Sequence, residues 1–222
     1  MIFFDLDDTL LDHETAARAG ATNVFKSFRS CFKEDLETFL VRWHNVSEKY
    51  FQSNSKIKYE LWEERRLRMR ELFSVEFSDE EAESRFEVYL EAYEADWRLF
   101  PDAIPCLRAL QYRKLGLITN GEGEQQRSKI LKLGLGDYFQ TVIISREVNC
   151  AKPEKAIFEL AARQAGVAIK DCVYVGDRLQ ADARSSQQAG MRGIWLNRKA
   201  NGEDQGFEVP VIRNLMELPS LL

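Results

Sequence analysis

The 222-residue sequence predicts an α/β protein: a three-layer sandwich on a central, mainly parallel sheet, with an all-helical domain inserted after the first strand. Three observations predict it. Short apolar runs rich in β-branched and aromatic residues recur at 2–4, 115–118, 142–144, 173–175 and 194–196, the length and composition of buried strands. Amphipathic stretches at 103–113, 125–133, 154–165 and 180–189 alternate with them, and Gly116, Gly134, Gly166 and Gly190 stand where helices should stop. From about His13 to Trp97 the texture changes: no convincing strand, no Pro and few Gly, but many aromatic and charged residues.

Within that segment Phe25, Phe28, Phe32, Phe39, Trp43 and Tyr50 recur at helical spacing, as do Phe86, Tyr89, Leu90 and Tyr93. The expected division is a core domain of residues 1–12 and 99–222 and a helical domain of residues 13–98, with hinges near 11–14 and 97–102. Trp43 and Trp62 read as the helical domain's own core. Arg65, Arg66, Arg68 and Arg70, beside Glu63, Glu64 and Glu71, read as a solvated, salt-bridged helix face. His13 follows the first hinge and is assigned no role. The apolar residues of the tail, Leu215, Met216, Leu218, Leu221 and Leu222, read as packing on their own domain.

Composition removes several function classes. A net charge of −5 gives no basic footprint for a nucleic-acid polymer. No apolar run approaches membrane-spanning length, and Met1-Ile2-Phe3-Phe4-Asp5 does not read as a signal peptide. Four scattered cysteines (Cys31, Cys106, Cys150, Cys172) and two histidines argue against zinc and for reduced, mostly buried thiols in a cytoplasmic protein. No GxGxxG follows the first strand, which speaks against a dinucleotide site.

Ligands of an open parallel sheet bind beyond the carboxyl ends of its strands, so the residues following each strand carry the chemistry. After 2–4 comes Asp5-Leu6-Asp7-Asp8-Thr9-Leu10, and after 115–118 comes Thr119-Asn120-Gly121. Beyond 142–144 lies Ala151-Lys152-Pro153-Glu154, with Pro153 expected at the first position of a helix. After 173–175 comes Gly176-Asp177, with Asp182 five residues on. Each loop alone has a plain structural reading: an acidic cap, a turn, a solvated lysine, a helix-start pair. Acids, a hydroxyl beside an amide, a lysine and further acids together form an inventory for phosphoryl transfer.

The four loops resemble the motifs of the haloacid dehalogenase superfamily: DxDxT at Asp5, Asp7 and Thr9, then Thr119-Asn120-Gly121, Lys152, and GDxxxxD at Asp177 and Asp182. The helical insertion lies where members with a C1 cap carry theirs. The resemblance implies a Rossmann-like core and an Mg²⁺ ion held by Asp5, Asp177 and the main-chain carbonyl of Asp7. It implies Asp5 as nucleophile, Asp7 as general acid/base, and Lys152 as the compensating charge. Thr119, Asn120 (through its N–H) and Gly121 would hold the phosphoryl oxygens, with Thr9 and Asp182 supporting from behind. The implied activity is hydrolysis of a small phosphorylated metabolite, nucleotidase-like in its overall look, under a cap that selects the leaving group. No nucleic-acid polymer or membrane partner is implied, and the chain is expected to be a monomer or weak dimer.

Three other functions compete. A haloacid dehalogenase is disfavoured because such enzymes lack the second Asp of DxD. A silent binding module is disfavoured because every catalytic residue is present. A sugar phosphomutase of the same fold stays open.

Overall fold

Apolar runs become β1 (Ile2–Phe4), β2 (Leu115–Thr119), β3 (Thr141–Ile144), β4 (Val173–Gly176), β5 (Arg192–Leu196) and β6 (Val211–Ile212). They pair in parallel in the order β3-β2-β1-β4-β5-β6. This computed structural model describes residues 1–53, 61–200 and 209–222. Between β1 and β2 lie α1 (His13–Ser27), α2 (Leu36–Ser53), α3 (Leu61–Phe73) and α4 (Asp79–Ala95). The later helices are α5 (Ala103–Ala109), α6 (Gly123–Lys132), α7 (Ser145–Val148), α8 (Lys155–Gln164) and α9 (Ser185–Ala189). The chain divides into two compact units, one of Met1–Asp12 with Arg98–Leu222 and one of His13–Trp97. Among the described residues no helix is long and apolar enough to cross a membrane.

In the sheet unit β1 and β2 are buried along their whole length, as a parallel strand covered on both faces should be. Phe3, Ile118, Ile143, Ile157, Phe158 and Tyr174 belong to one core cluster between the sheet and α8. The C-terminal 3₁₀ turns, Leu215–Leu221, bury Leu215 and Leu218 in the same unit.

Several expectations need correction. Gly116 ends no helix: it lies within β2, where an added Cβ would stand 2.5 Å from the Phe3 ring, so its small size admits an aromatic neighbour. Gly134, Gly166 and Gly190 do take left-handed φ values of 65°, 65° and 104° just after helices. Pro153 does not open α8; it sits two residues before it, in a turn closed by Glu154 N–H donating to Ala151 O. The stretch expected as one helix at 180–189 begins as a wide π turn, Leu179–Arg184, and continues as α9. There the Asp182 carboxylate accepts the Arg178 N–H and so competes for the helix start. The two-residue β6 was not expected at all. Of the cysteines, Cys106 and Cys172 are buried, Cys150 is half-buried and Cys31 is exposed; all four are free.

The helical unit is held by a chain of ring contacts. Phe25, Phe32 and Phe39 touch one another, Phe39 meets Trp43, and Trp43 stacks on Tyr89 at 4.8 Å. Tyr89 continues to Tyr93 and Trp97. Gly20 lets α1 approach α4, since a Cβ there would lie 2.5 Å from the Tyr89 ring. A capping box of Ser78 and Glu81 starts α4. The basic run is only partly the solvated face expected. Arg66 and Arg70 pair with Asp79, and Arg66 also with Glu83. Arg65, however, is buried, its guanidinium over Trp62 and Phe86 at 4.7 and 5.0 Å. Trp62 itself is exposed at 36 %, not in the helical core as expected, because it lies over Arg65 at the surface. His13 meets Tyr93, Nδ1 to Oη 2.9 Å.

Among the described glycines of the sheet unit the tightest approach is at Gly193 of β5, where an added Cβ would fall 2.0 Å from the Ala183 carbonyl oxygen. Gly193→Ala is therefore expected to lose about 2–3 kcal/mol or more, because main chain must move. Gly136→Ala, where a Cβ meets nothing within 4 Å, should be near neutral. Denaturant midpoints of the two variants check the contrast.

Candidate active site

β1 and β4 are neighbours although the chain forms β2 and β3 between them, so the strand order reverses at this pair. A crevice opens at the carboxyl ends of two such strands because their connections leave in opposite directions. Asp5 follows β1, its N–H donating to Val175 O at 2.9 Å, and Asp177 follows β4. The loop after Asp5 folds back on itself: Leu10 and Leu11 N–H both donate to Leu6 O, and Asp8 takes a left-handed φ of 57°. The Thr9 hydroxyl ties this loop to the β4 loop, accepting the Asp177 N–H at 3.1 Å and donating to Asp177 Oδ1 at 3.2 Å. Arg198 holds the same loop from another side, donating to Thr9 O at 2.8 Å while pairing with both Asp102 oxygens.

Lys152 stands at the centre, with 4 % of its surface exposed. Its ammonium donates to Asp5 Oδ1 at 2.7 Å, Asp182 Oδ1 at 2.7 Å and Tyr174 Oη at 2.9 Å, which uses all three protons. The Tyr174 hydroxyl in turn donates to Ile118 O at 2.9 Å. Asn120 fixes the lysine main chain, accepting Lys152 N–H and donating to Lys152 O, each at 2.9 Å. Burial pushes the Asp5 carboxyl up to about 7; Lys152 counters this in part, while Asp182 and Asp7 add to it. Burial, then Asp182 and Asp5, hold Asp177 well above the usual carboxylate range. For Lys152 burial opposes the charge, but Asp182 and Asp5 outweigh it and the ammonium is raised.

Carboxylate oxygens of Asp5, Asp177 and Asp182 lie within 4.8 Å of one another. Asp182 spends Oδ1 on Lys152 and Oδ2 on the Arg178 N–H, so Asp5 and Asp177 are the acids left for an added ion. An all-oxygen set with unrelieved negative charge fits a hard divalent cation and offers nothing to a thiophilic one. Asp7 turns its side chain elsewhere: Lys129 Nζ donates to Oδ1 at 2.7 Å and Gln126 Nε2 to Oδ2 at 2.9 Å. Thr119 accepts from the same Gln126 nitrogen at 2.7 Å. The Gly121 N–H donates to Ser145 Oγ at 3.0 Å, and a Cβ on Gly121 would press on Gln126 at 2.9 Å. The sequence reading did not single out Gln126, Lys129, Tyr174 or Arg198. A signal existed for two of them, since Gln126, Lys129 and Ile130 share the i, i+3, i+4 spacing of a buried helix face.

A model of haloacid dehalogenase-like hydrolases matches residues 1–190. The chain belongs to this family. Among curated members it is similar to the glyceraldehyde 3-phosphate phosphatase of Methanopyrus kandleri, 30% identical over 232 residues, covering 98% of this chain and 95% of that one. It is similar also to human N-acylneuraminate-9-phosphatase, 29% identical, covering 100% of this chain and 92% of the relative. Among solved structures of haloacid dehalogenase-like proteins, the 2-haloacid dehalogenase of Pseudomonas syringae superposes with a TM-score of 0.71 at 28% identity, covering 99% and 96% of the two chains.

Two predictions follow from the charge balance around Asp5. Lys152→Met leaves Asp5 and Asp182 buried without their cation and should cost about 3–5 kcal/mol, with part recovered in Lys152→Met/Asp182→Asn. Chemical unfolding of both variants measures this. In EDTA, Asp5 has a folded value of about 7 against 3.8 for a free side chain. Its contribution to stability is therefore fully present below 3.8 and lost as pH rises through about 7. The melting temperature of the wild type relative to Asp5→Asn should fall across that window, and saturating Mg²⁺ should remove the fall.

Proposed function

We propose that this protein is a Mg²⁺-dependent phosphatase that hydrolyses small phosphate monoesters through an aspartyl-phosphate on Asp5. The observation that carries the reading is the Asp5 carboxylate, paired with buried Lys152 and close to Asp177, with a second carboxylate, Asp7, two residues along the same loop. A phosphate monoester is a dianion and repels a carboxylate nucleophile until positive charge is gathered around it. Asp5 and Asp177, with the Asp7 carbonyl, would hold Mg²⁺, which supplies charge neutralisation at the phosphoryl group when bound. Lys152 adds a fixed positive charge, and Asp182 and Tyr174 keep that charge in place.

Asp5 attacks phosphorus as the bond to the leaving oxygen breaks, and Asp7 donates a proton to that oxygen. In the second half Asp7 takes a proton from water, which attacks phosphorus and frees Asp5. Thr119 and the Asn120 N–H hold phosphoryl oxygens; the Asn120 side chain meanwhile anchors Lys152. Dehalogenation is the weaker reading. A halide leaves without a proton, so Asp7 would have no task. Relatives that dephosphorylate small metabolites favour substrates of that class. Four free thiols fit a reducing cytoplasm.

Phosphate release from p-nitrophenyl phosphate and a panel of sugar phosphates, acyl-sugar phosphates and nucleotides tests the proposal. Release should require Mg²⁺, stop in EDTA and vanish in Asp5→Asn. Asp7→Asn should lower kcat by about 10²–10⁴ while keeping the rise in melting temperature on adding Mg²⁺. Undiminished turnover in Asp5→Asn would overturn the reading.

A further inference from the structure

Helix α6 buries a polar face. Gln126 and Lys129, one turn apart, are each 1 % exposed and converge on the Asp7 carboxylate. Lys129 Nζ takes Oδ1 at 2.7 Å and Gln126 Nε2 takes Oδ2 at 2.9 Å. The same Gln126 nitrogen donates to Thr119 Oγ1 at 2.7 Å. One amide group therefore bridges the acid/base assigned above and the hydroxyl assigned to the phosphoryl group. A threonine hydroxyl carries one proton. Its oxygen accepts from Gln126, and its proton goes to Asn120 O in a long bond of 3.3 Å, which a phosphoryl oxygen would have to displace.

The helix bearing this pair is itself anchored. Glu122 caps it, accepting from Glu124 and Gln125 N–H, and Arg127 pairs with both oxygens of Glu147 at 2.9 and 2.7 Å. Gly123 leaves room for that contact, since a Cβ there would meet Glu147 at 3.1 Å. A lysine buried against a carboxylate brings little net stability over an apolar side chain of similar volume. The pair is thus poorly explained as cement and well placed to act on Asp7.

We propose that Gln126 and Lys129 are positioning residues that hold the Asp7 carboxylate and the Thr119 hydroxyl as one unit. The leaving-group oxygen and the phosphoryl oxygens are then served from a fixed separation. Each donor holds a different oxygen, so Asp7 can pass a proton through one oxygen while the other stays anchored. The inference rests on the phosphatase reading.

The test compares leaving groups. An alkyl phosphate needs its departing oxygen protonated, whereas p-nitrophenolate leaves with little help. In Lys129→Met, kcat should fall about tenfold or more further on an alkyl phosphate such as glycerol phosphate than on p-nitrophenyl phosphate, with KM changed less than about twofold. Lys129→Arg should restore part of the alkyl rate, and Lys129→Met should add no further loss to Asp7→Asn. Equal losses on both substrates, or losses that add to Asp7→Asn, would overturn the inference and leave Lys129 a structural residue. Should Lys129→Met fail to fold, Gln126→Leu must show the same leaving-group signature, and a uniform loss there overturns the inference equally. A wild type that releases no phosphate, or an active Asp5→Asn, defeats the phosphatase reading and this inference with it. An active wild type with a dead Asp5→Asn and a uniform Lys129→Met effect defeats the inference alone.

Discussion

A lysine ammonium taken out of water must find a partner for every proton, and Lys152 finds them in Asp5, Asp182 and Tyr174. Each partner comes from a different stretch of chain, so a single charge ties together the end of β1, the body of β4 and the turn after β4. Asn120 then clamps the lysine's own main chain from the end of β2. Removing the charge would leave two buried carboxylates facing each other. The loop order of the sheet unit is consequently bound to one electrostatic condition: acids gathered at the strand ends are tolerated only around a fixed cation.

That cation does not complete the balance. Asp5, Asp177 and Asp182 bring carboxylate oxygens within 4.8 Å of one another against the one ammonium of Lys152, and burial, then neighbouring acids, raise Asp5 and Asp177. Such a deficit is what a hard divalent ion relieves, and a phosphate ester deepens it further. Around this centre, hydrogen bonds to the Thr9 hydroxyl and carbonyl, from Asp177 N–H and Arg198, hold the loop that carries Asp5. The gathered carboxylates can then stay close without the loop opening to separate them.

The strands were legible because a parallel strand covered on both faces needs an unbroken apolar run, as Ile2-Phe3-Phe4 and Val173-Tyr174-Val175 provide. β6 was not, since two residues of edge pairing leave no pattern to read. Gly116 misled because glycine marks both helix ends and close packing, and only the facing Phe3 ring tells them apart. The loops carrying Asp5, Asp7, Thr119, Lys152, Asp177 and Asp182 could be read from strand ends alone, and the sheet order brings these loops together. Lys129 and Gln126 escaped because lysine and glutamine on an amphipathic helix are ordinarily its wet face. Their burial depends on Asp7, more than a hundred residues away in sequence, as the separations of 122 and 119 record. Tyr174 was hidden differently: in a strand an aromatic reads as core, and its hydroxyl's role appears only with Lys152 beside it.

The central claim is that Asp5, held by Lys152, becomes the phosphorylated group. Rapid acid quench of the enzyme turning over substrate, followed by peptide mass spectrometry, tests it most directly. One added phosphoryl group should appear on the peptide containing Asp5, be lost on treatment with hydroxylamine, and accumulate in Asp7→Asn once substrate is present. Steady hydrolysis with no phosphorylated peptide at any quench time in either protein, or with the label on another residue, would contradict the account.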